Sequence, residues 1–221
     1  MKNFLLALSI VILSISLHAQ SVKLAKTNLV ANQVYMSLEQ LDGEDVWRII
    51  KDSTVQKVDE PTFVKIKDLN FENGTIEVKV LSRLLKTAPD YARGFIGLAF
   101  RINDDNTAYE SIYVRPTNGR VDNQFRRNHT VQYYSYPDYK FDRLRKESNG
   151  EFETYADLGL NEWITIRIEV KGKEAKLYLN NQKSASFIVS EMKGTTTHGG
   201  IGLWVDIGTE GYFKDLKVTH K

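Results

Sequence analysis

Apolar and polar residues alternate with period two along much of the chain. Val64 and Ile66 interleave with Phe63, Lys65 and Lys67, and Ile76, Val78 and Val80 with Glu77 and Lys79. Ile96, Leu98, Phe100 and Ile102 alternate with Gly97, Ala99 and Arg101, and Ile112 and Val114 with Ser111, Tyr113 and Arg115. The same rhythm runs through Ile164–Val170, Ala175–Leu179 and Ile201–Val205. Period two with one apolar face is the mark of half-buried antiparallel strands. Turn residues separate the runs: Asn73-Gly74, Asn103–Asn106, Asn118-Gly119, Ser148–Gly150, Lys171–Lys173 and Asn180-Asn181. Trp163–Val170, a glycine turn and Ala175–Leu179 predict a hairpin, and the runs on either side of Asn103–Asn106 predict a neighbouring pair. No segment predicts a helix of about ten residues or more; Ser190–Lys193 is expected to form at most one turn. Roughly ten or more short strands in a chain of this size predict an all-β, two-sheet antiparallel sandwich of jelly-roll type. Residues 21–45 are less regular and are expected to wrap its edge.

The N-terminus follows another rule. Lys2 precedes a nearly unbroken apolar run from Phe4 to Leu17, closed by His18-Ala19. A basic start, a short apolar stretch and a small residue predict a secretory signal peptide over residues 1–19. An uncleaved anchor is the alternative, but a span needs about 20 apolar residues. Residues 20–221 then form a single domain, expected in the periplasm or outside a bacterial cell, with no membrane span once the signal is removed. The chain has no cysteine, so it has neither disulfides nor thiolate chemistry. Thirty basic against 28 acidic residues give a net charge of +2, which offers no bulk attraction to nucleic acid.

Composition singles out one stretch. Seven of the eleven tyrosines lie between Arg101 and Tyr155, together with Arg101, Arg115, Arg120, Arg126, Arg127, Arg143 and Arg145. Tyrosine offers a flat apolar face with a polar tip, and arginine a planar fork of donors. Flat faces stack on sugar rings and forks bind hydroxyls or carboxylates. The bland alternative is a strand-rich region beside a solvated loop. Parity places Arg101, Tyr109, Tyr113 and Arg115 on one outer face, with Gly97, Ala99 and Ser111 as the floor of a groove. Trp204 opposes the core set Ile201, Leu203 and Val205, so it faces outward unless a loop covers it.

These residues carry a resemblance. Leu69–Val78, Gly94–Arg101, Tyr109–Pro116, Asn128–Tyr133, Glu162-Trp163, Leu177–Asn181, Gly202–Trp204 and Tyr212–Lys217 together resemble the concanavalin A-like lectin/glucanase superfamily. Within it they are most similar to bacterial laminin-G-like jelly rolls related to the 3-keto-disaccharide hydrolase domain. The resemblance spans about residues 60–219 and implies a concave sheet that binds carbohydrate. Its matching positions imply ligand contacts at Tyr109, Tyr113, Arg115, Gln132, Tyr133 and Trp204, with Glu110 and His129 as candidate catalytic groups. Arg101 joins the ligand set by its outward parity.

The leading expectation is therefore recognition of an oligo- or polysaccharide, an acidic one in view of the arginines. The alternatives are a glycoside-cleaving enzyme of glycosidase or 3-keto-glycoside hydrolase type, and a module that meets another protein. Glycosidases use paired carboxyl groups; Glu110 is the best single candidate but has no evident second carboxylate, and it reads first as a buried or edge carboxylate paired with an arginine. No motif dictates a cofactor. A divalent cation, at His129 or in the Asn103–Asn106 turn, is the one cofactor the residues leave open, although neither has dedicated ligand spacing.

Overall fold

A computed structural model of the chain describes residues 20–148 and 150–221; the signal peptide expected over residues 1–19 lies outside them. Fifteen strands follow in order: β1 (Gln20–Ser21), β2 (Leu29–Asn32), β3 (Val34–Leu41), β4 (Glu44–Lys51), β5 (Phe63–Ile66), β6 (Gly74–Leu84), β7 (Ile96–Ile102), β8 (Tyr109–Val114), β9 (Val131–Tyr136), β10 (Glu153–Thr154), β11 (Trp163–Lys171), β12 (Glu174–Leu179), β13 (Phe187–Val189), β14 (Gly200–Val205) and β15 (Thr209–His220). Three short helices, α1 (Pro116–Gly119), α2 (Gln124–Arg127) and α3 (Phe141–Glu147), sit in the loops on either side of β9.

The strands form two antiparallel sheets. One runs β13-β12-β11-β6-β15-β4-β3, with β1 added on β15; the other runs β10-β9-β8-β7-β14-β5-β2. The expected hairpin is β11–β12, closed by Gly172 at φ 57°, and β7 pairs with β8. Within residues 21–45, expected to be less regular and to wrap the edge, β3 is a regular strand that pairs with β4 as a hairpin at the sheet edge. Asp42 and Gly43 form its two-residue turn with φ of 54° and 81°, the conformation such turns need. The alternation of β3 is weak because an edge strand buries little of either face. Ser190–Lys193 forms no helix.

The two sheets bury their faces differently. In the eight-stranded sheet, inward Ile76, Val78, Val80, Ile164, Ile166 and Ile168 are buried and the residues between them reach solvent, so period two survives. In the seven-stranded sheet every residue of β7, β8 and β14 is buried. One face packs Leu98, Phe100, Ile112, Val114 and Leu203 against the first sheet. The other lies under a third layer made of the 58–62 loop, whose Glu60 carbonyl accepts the Trp204 N–H, and the segments that carry α1, α2 and α3. The covered face is aromatic: Tyr113 and Trp204 meet with ring centroids 4.7 Å apart, Tyr134 lies 5.7 Å from Trp204, and Tyr109 stacks on Tyr136 at 5.1 Å.

This cap overturns the open groove expected above Gly97, Ala99 and Ser111. Trp204 and Tyr113 are the cross-strand neighbours of Gly97 on either side, and their rings fill the space above it. A Cβ at Gly97 would lie 2.6 Å from that of Tyr113 and 2.4 Å from the Ile112 carbonyl oxygen, so only glycine fits there.

Candidate functional site

Strand β8 sends its odd-numbered residues toward the cap and its even-numbered residues between the sheets. The odd face ends in Arg115. Its Nη1 donates to Glu153 Oε1 and the His129 carbonyl, both at 3.0 Å, and its Nη2 to Tyr113 Oη at 2.7 Å and Gln132 Oε1 at 3.1 Å. Glu153 also takes Arg145, through Nε at 2.8 Å and Nη2 at 2.5 Å, and stands 3.3 Å from His129 Nε2. One buried carboxylate thus binds two guanidiniums and orients an imidazole. The other ring nitrogen of His129 bonds the Phe125 carbonyl, and the ring packs on Phe125 with centroids 4.3 Å apart.

Between this cluster and the cap lies a cavity of about 280 Å³. Its apolar wall is Phe95, Tyr113, Phe125 and Phe141, and its polar wall includes Arg93, Arg115, Asn118, Arg126, His129 and Arg145. Phe125 and Tyr91 stand at its lining with 68% and 54% of their surface in solvent. Two aspartates complete it. Asp206 accepts a bond from the Asp59 backbone N–H at 2.8 Å and pairs with the buried Lys51. Asp59 is only 2% exposed, accepts the Phe141 N–H at 3.0 Å and sits in the left-handed backbone region at φ 52°. Burial, and then the neighbouring Asp206 charge, push its carboxyl up to about 7. The Phe141 bond and the charges of Arg115 and Lys140 oppose that rise without cancelling it. Asp59 can therefore both hold and release a proton near neutral pH.

The even face of β8 holds a different cluster. Glu110 Oε2 accepts Tyr133 Oη at 2.6 Å, and Tyr133 in turn accepts the Lys193 N–H at 2.6 Å. Among the described residues Glu110 Oε1 has no hydrogen-bond partner, and burial raises the carboxyl's pKa, which favours the neutral form. A Cβ on Gly194 would lie 2.2 Å from that oxygen, so backbone closes it in. Arg101, at φ 54° at the end of β7, donates to the Glu72 carbonyl through Nε at 3.0 Å and Nη2 at 2.7 Å, and to the Gly172 carbonyl at 2.8 Å. It fastens two turns together. A second space of about 470 Å³ opens beside Arg101 and Glu110.

The residues singled out in the sequence therefore separate. Tyr113, Arg115 and His129 meet at the first cavity. Tyr109 and Trp204, expected on an open face, and Gln132, expected to contact the ligand, are buried beneath the cap, because their rings and amide supply its packing and bonds. Trp204 Nε1 donates to the Glu60 carbonyl at 3.0 Å, and Gln132 Nε2 to those of Tyr133 and Phe152. Glu110, Tyr133 and Arg101 lie on the opposite side of the sheet from His129. Asp59, Arg93, Tyr91 and Phe125 were not singled out by sequence; Arg126 and Arg145 belonged to the arginine-rich stretch without distinction. The Asn103–Asn106 turn is a hairpin turn, with Asn103 Oδ1 accepting the Thr107 and Ala108 N–H groups. Among the described residues no group of three or more His, Asp or Glu is placed to hold a metal ion, and no helix is long and apolar enough to cross a membrane.

The chain matches the 3-keto-alpha-glucoside-1,2-lyase-like domain over residues 35–219. No curated protein matches it. Among solved structures it is similar to the carbohydrate-binding module CBM66 from Bacillus subtilis, at 14% identity and a TM-score of 0.51, over 85% of this chain and 96% of that one. It is also similar to a protein of Parabacteroides distasonis described as a candidate glycosyl hydrolase, at 12% identity and a TM-score of 0.50, over 91% of this chain and all of the other. At these identities the likeness is one of fold.

Proposed function

The chain belongs to the 3-keto-alpha-glucoside-1,2-lyase-like family, and on that premise we propose that it takes hold of a saccharide end in the cavity between Arg115 and the cap. The observation that carries this reading is a concave space with aromatic walls and converging polar groups on the capped face of the sandwich. At about 280 Å³ it is near the lower end of small-molecule sites, which suits a terminal sugar unit better than a long chain. Phe125 and Tyr91 offer exposed faces to the sugar's C–H groups, while Asn118, Arg93 and Arg126 offer hydrogen bonds to its hydroxyls. The N-terminal segment supports a place of action outside the cytoplasm.

The test is a panel of mono- and disaccharides, 3-keto glycosides included, read for both retention and product release. Phe125→Ala is expected to weaken retention about tenfold or more, since truncating an aromatic binding anchor commonly costs about 2 kcal/mol or more. Glu110→Gln is expected to leave it unchanged. Retention lost in Glu110→Gln and kept in Phe125→Ala would sink the reading.

A second reading, catalysis, is favoured by Asp59. A 1,2-elimination on a 3-keto sugar removes the C2 proton, which the C3 ketone makes acidic. The C–H electrons form the C1–C2 double bond as the C1–O bond breaks and the leaving oxygen takes a proton. Ionised Asp59, poised near 7 in the cavity, has the chemistry of the base. On this reading Asp59→Asn abolishes product release and keeps retention, and wild-type turnover rises as pH passes through about 7. Retention without product from any 3-keto glycoside would leave saccharide binding alone.

A further inference from the structure

The charges around the cavity do not balance. Four guanidiniums line it: those of Arg93, Arg115, Arg126 and Arg145. Glu153 answers Arg115 and Arg145 together. Asp206 is answered by Lys51, and Asp59, pushed up to about 7, carries only part of a charge at neutral pH. Among the described residues, neither Arg93 nor Arg126 has a carboxylate within 4 Å. Arg93 Nη1 donates to the carbonyls of Asp90 and Ala92, and Arg126 Nε to Asn118 Oδ1 at 3.1 Å, with two long contacts to Thr117 at 3.4 Å. The other donors of both forks have no protein acceptor among the described residues. Burial, followed by the nearby charges of Arg126 and Arg115, makes the charged form of Arg93 less favourable. Arg101 makes a useful contrast: it too lacks a carboxylate, but its fork is spent on the Glu72 and Gly172 carbonyls.

Two partly desolvated guanidiniums with donors to spare, facing one cavity, are satisfied by an oxyanion that accepts from both. Resting on the saccharide reading above, we propose that the ligand is a sugar carrying an oxyanion substituent, held by Arg93 and Arg126 while Phe125 packs on its ring. A carboxylate, as in a uronic acid, and a sulfate ester present the same chemistry to the fork.

The test titrates the expressed chain with methyl glucoside, methyl glucuronide and a methyl glucoside sulfate. Tighter binding of one or both charged sugars, by about tenfold or more at low salt, is expected, and the tighter of the two names the substituent. The gap should narrow at about 0.5 M salt, where exposed charges are screened over a few ångströms. In the double variant Arg93→Gln/Arg126→Gln the gap should vanish, because the charged sugars lose about tenfold more affinity than methyl glucoside does. Equal affinity for all three sugars, or a gap that survives in the double variant, would overturn the inference while the saccharide reading stands. Absence of binding by any sugar of the wider panel would bring down the saccharide reading as well.

Discussion

Strand β8 carries a polar cluster on each face, and the two spend their hydrogen bonds differently. Between the sheets, Glu110 shares Tyr133 with the Lys193 backbone, and Arg101 clips the turns at Glu72 and Gly172. Beneath the cap, Arg115 is as fully bonded as Arg101, yet beyond it stand Arg93 and Arg126 with donors left over, and Asp59 near its titration point, facing an open space. An ionisable residue in a strand is therefore not in itself a sign of a site. What marks the cavity is unspent donors and a carboxyl near its titration point, next to exposed aromatic faces. The same contrast explains Trp204 and Phe125. Both are aromatic and near the concave sheet, but the first is packing with 0% of its surface exposed and the second is 68% exposed.

The largest expected effect strikes the packing side of that contrast. Trp204→Ala should cost about 3–5 kcal/mol of stability in urea unfolding, the usual loss for deleting a buried large aromatic. A loss of sugar binding with unchanged stability would mean that Trp204 is a platform after all.

Next comes the pH dependence set by Asp59. Below its ordinary value of 3.8 the carboxyl is protonated in both the folded and the unfolded chain. Between 3.8 and about 7 the unfolded chain releases the proton and the folded one keeps it, so stability falls as pH rises and levels off above 7. The total fall approaches about 4 kcal/mol. Asn tolerates the left-handed backbone at this position, so Asp59→Asn should fold, flatten the profile and be more stable than wild type at pH 8. A wild-type profile flat from pH 4 to 8 would contradict the assignment.

A pair of isosteric changes compares the two faces directly. Glu153→Gln strips the shared carboxylate from Arg115 and Arg145 and should cost about 3 kcal/mol in chemical unfolding. Glu110→Gln keeps an acceptor for Tyr133 and removes a carboxyl that burial already holds toward neutrality, so its effect near pH 7 should stay within about 1 kcal/mol. Equal losses would erase the distinction between the faces. The smallest stability change is expected for Phe125→Ala, within about 0.5 kcal/mol, as for exposed positions generally. A larger shift in its melting curve would place Phe125 in the packing.

How much of this was legible in sequence follows from the same physics. The sandwich was readable because the eight-stranded sheet keeps one wet face and so keeps its alternation. The pairing of β7 with β8 and the β11–β12 hairpin followed from turn residues at short spacing. Parity correctly grouped Tyr113 with Arg115 but could not say whether water or protein lay above them. The stretch rich in tyrosine and arginine folds back as the cap over its own strands, and Trp204, Tyr109 and Gln132 are lost to view beneath it. Asp59 had no local signal: its partner Asp206 lies 147 residues away in sequence, and its titration near 7 arises only when the two are buried together.

The most direct measurement is a crystal structure with the tightest-binding saccharide of the panel. The account predicts ordered sugar density in the cavity, against Phe125 and within reach of Arg93 and Arg126. Density in the space beside Glu110 and Arg101, or on the outer face of the eight-stranded sheet, with the Arg93 cavity empty, would contradict it.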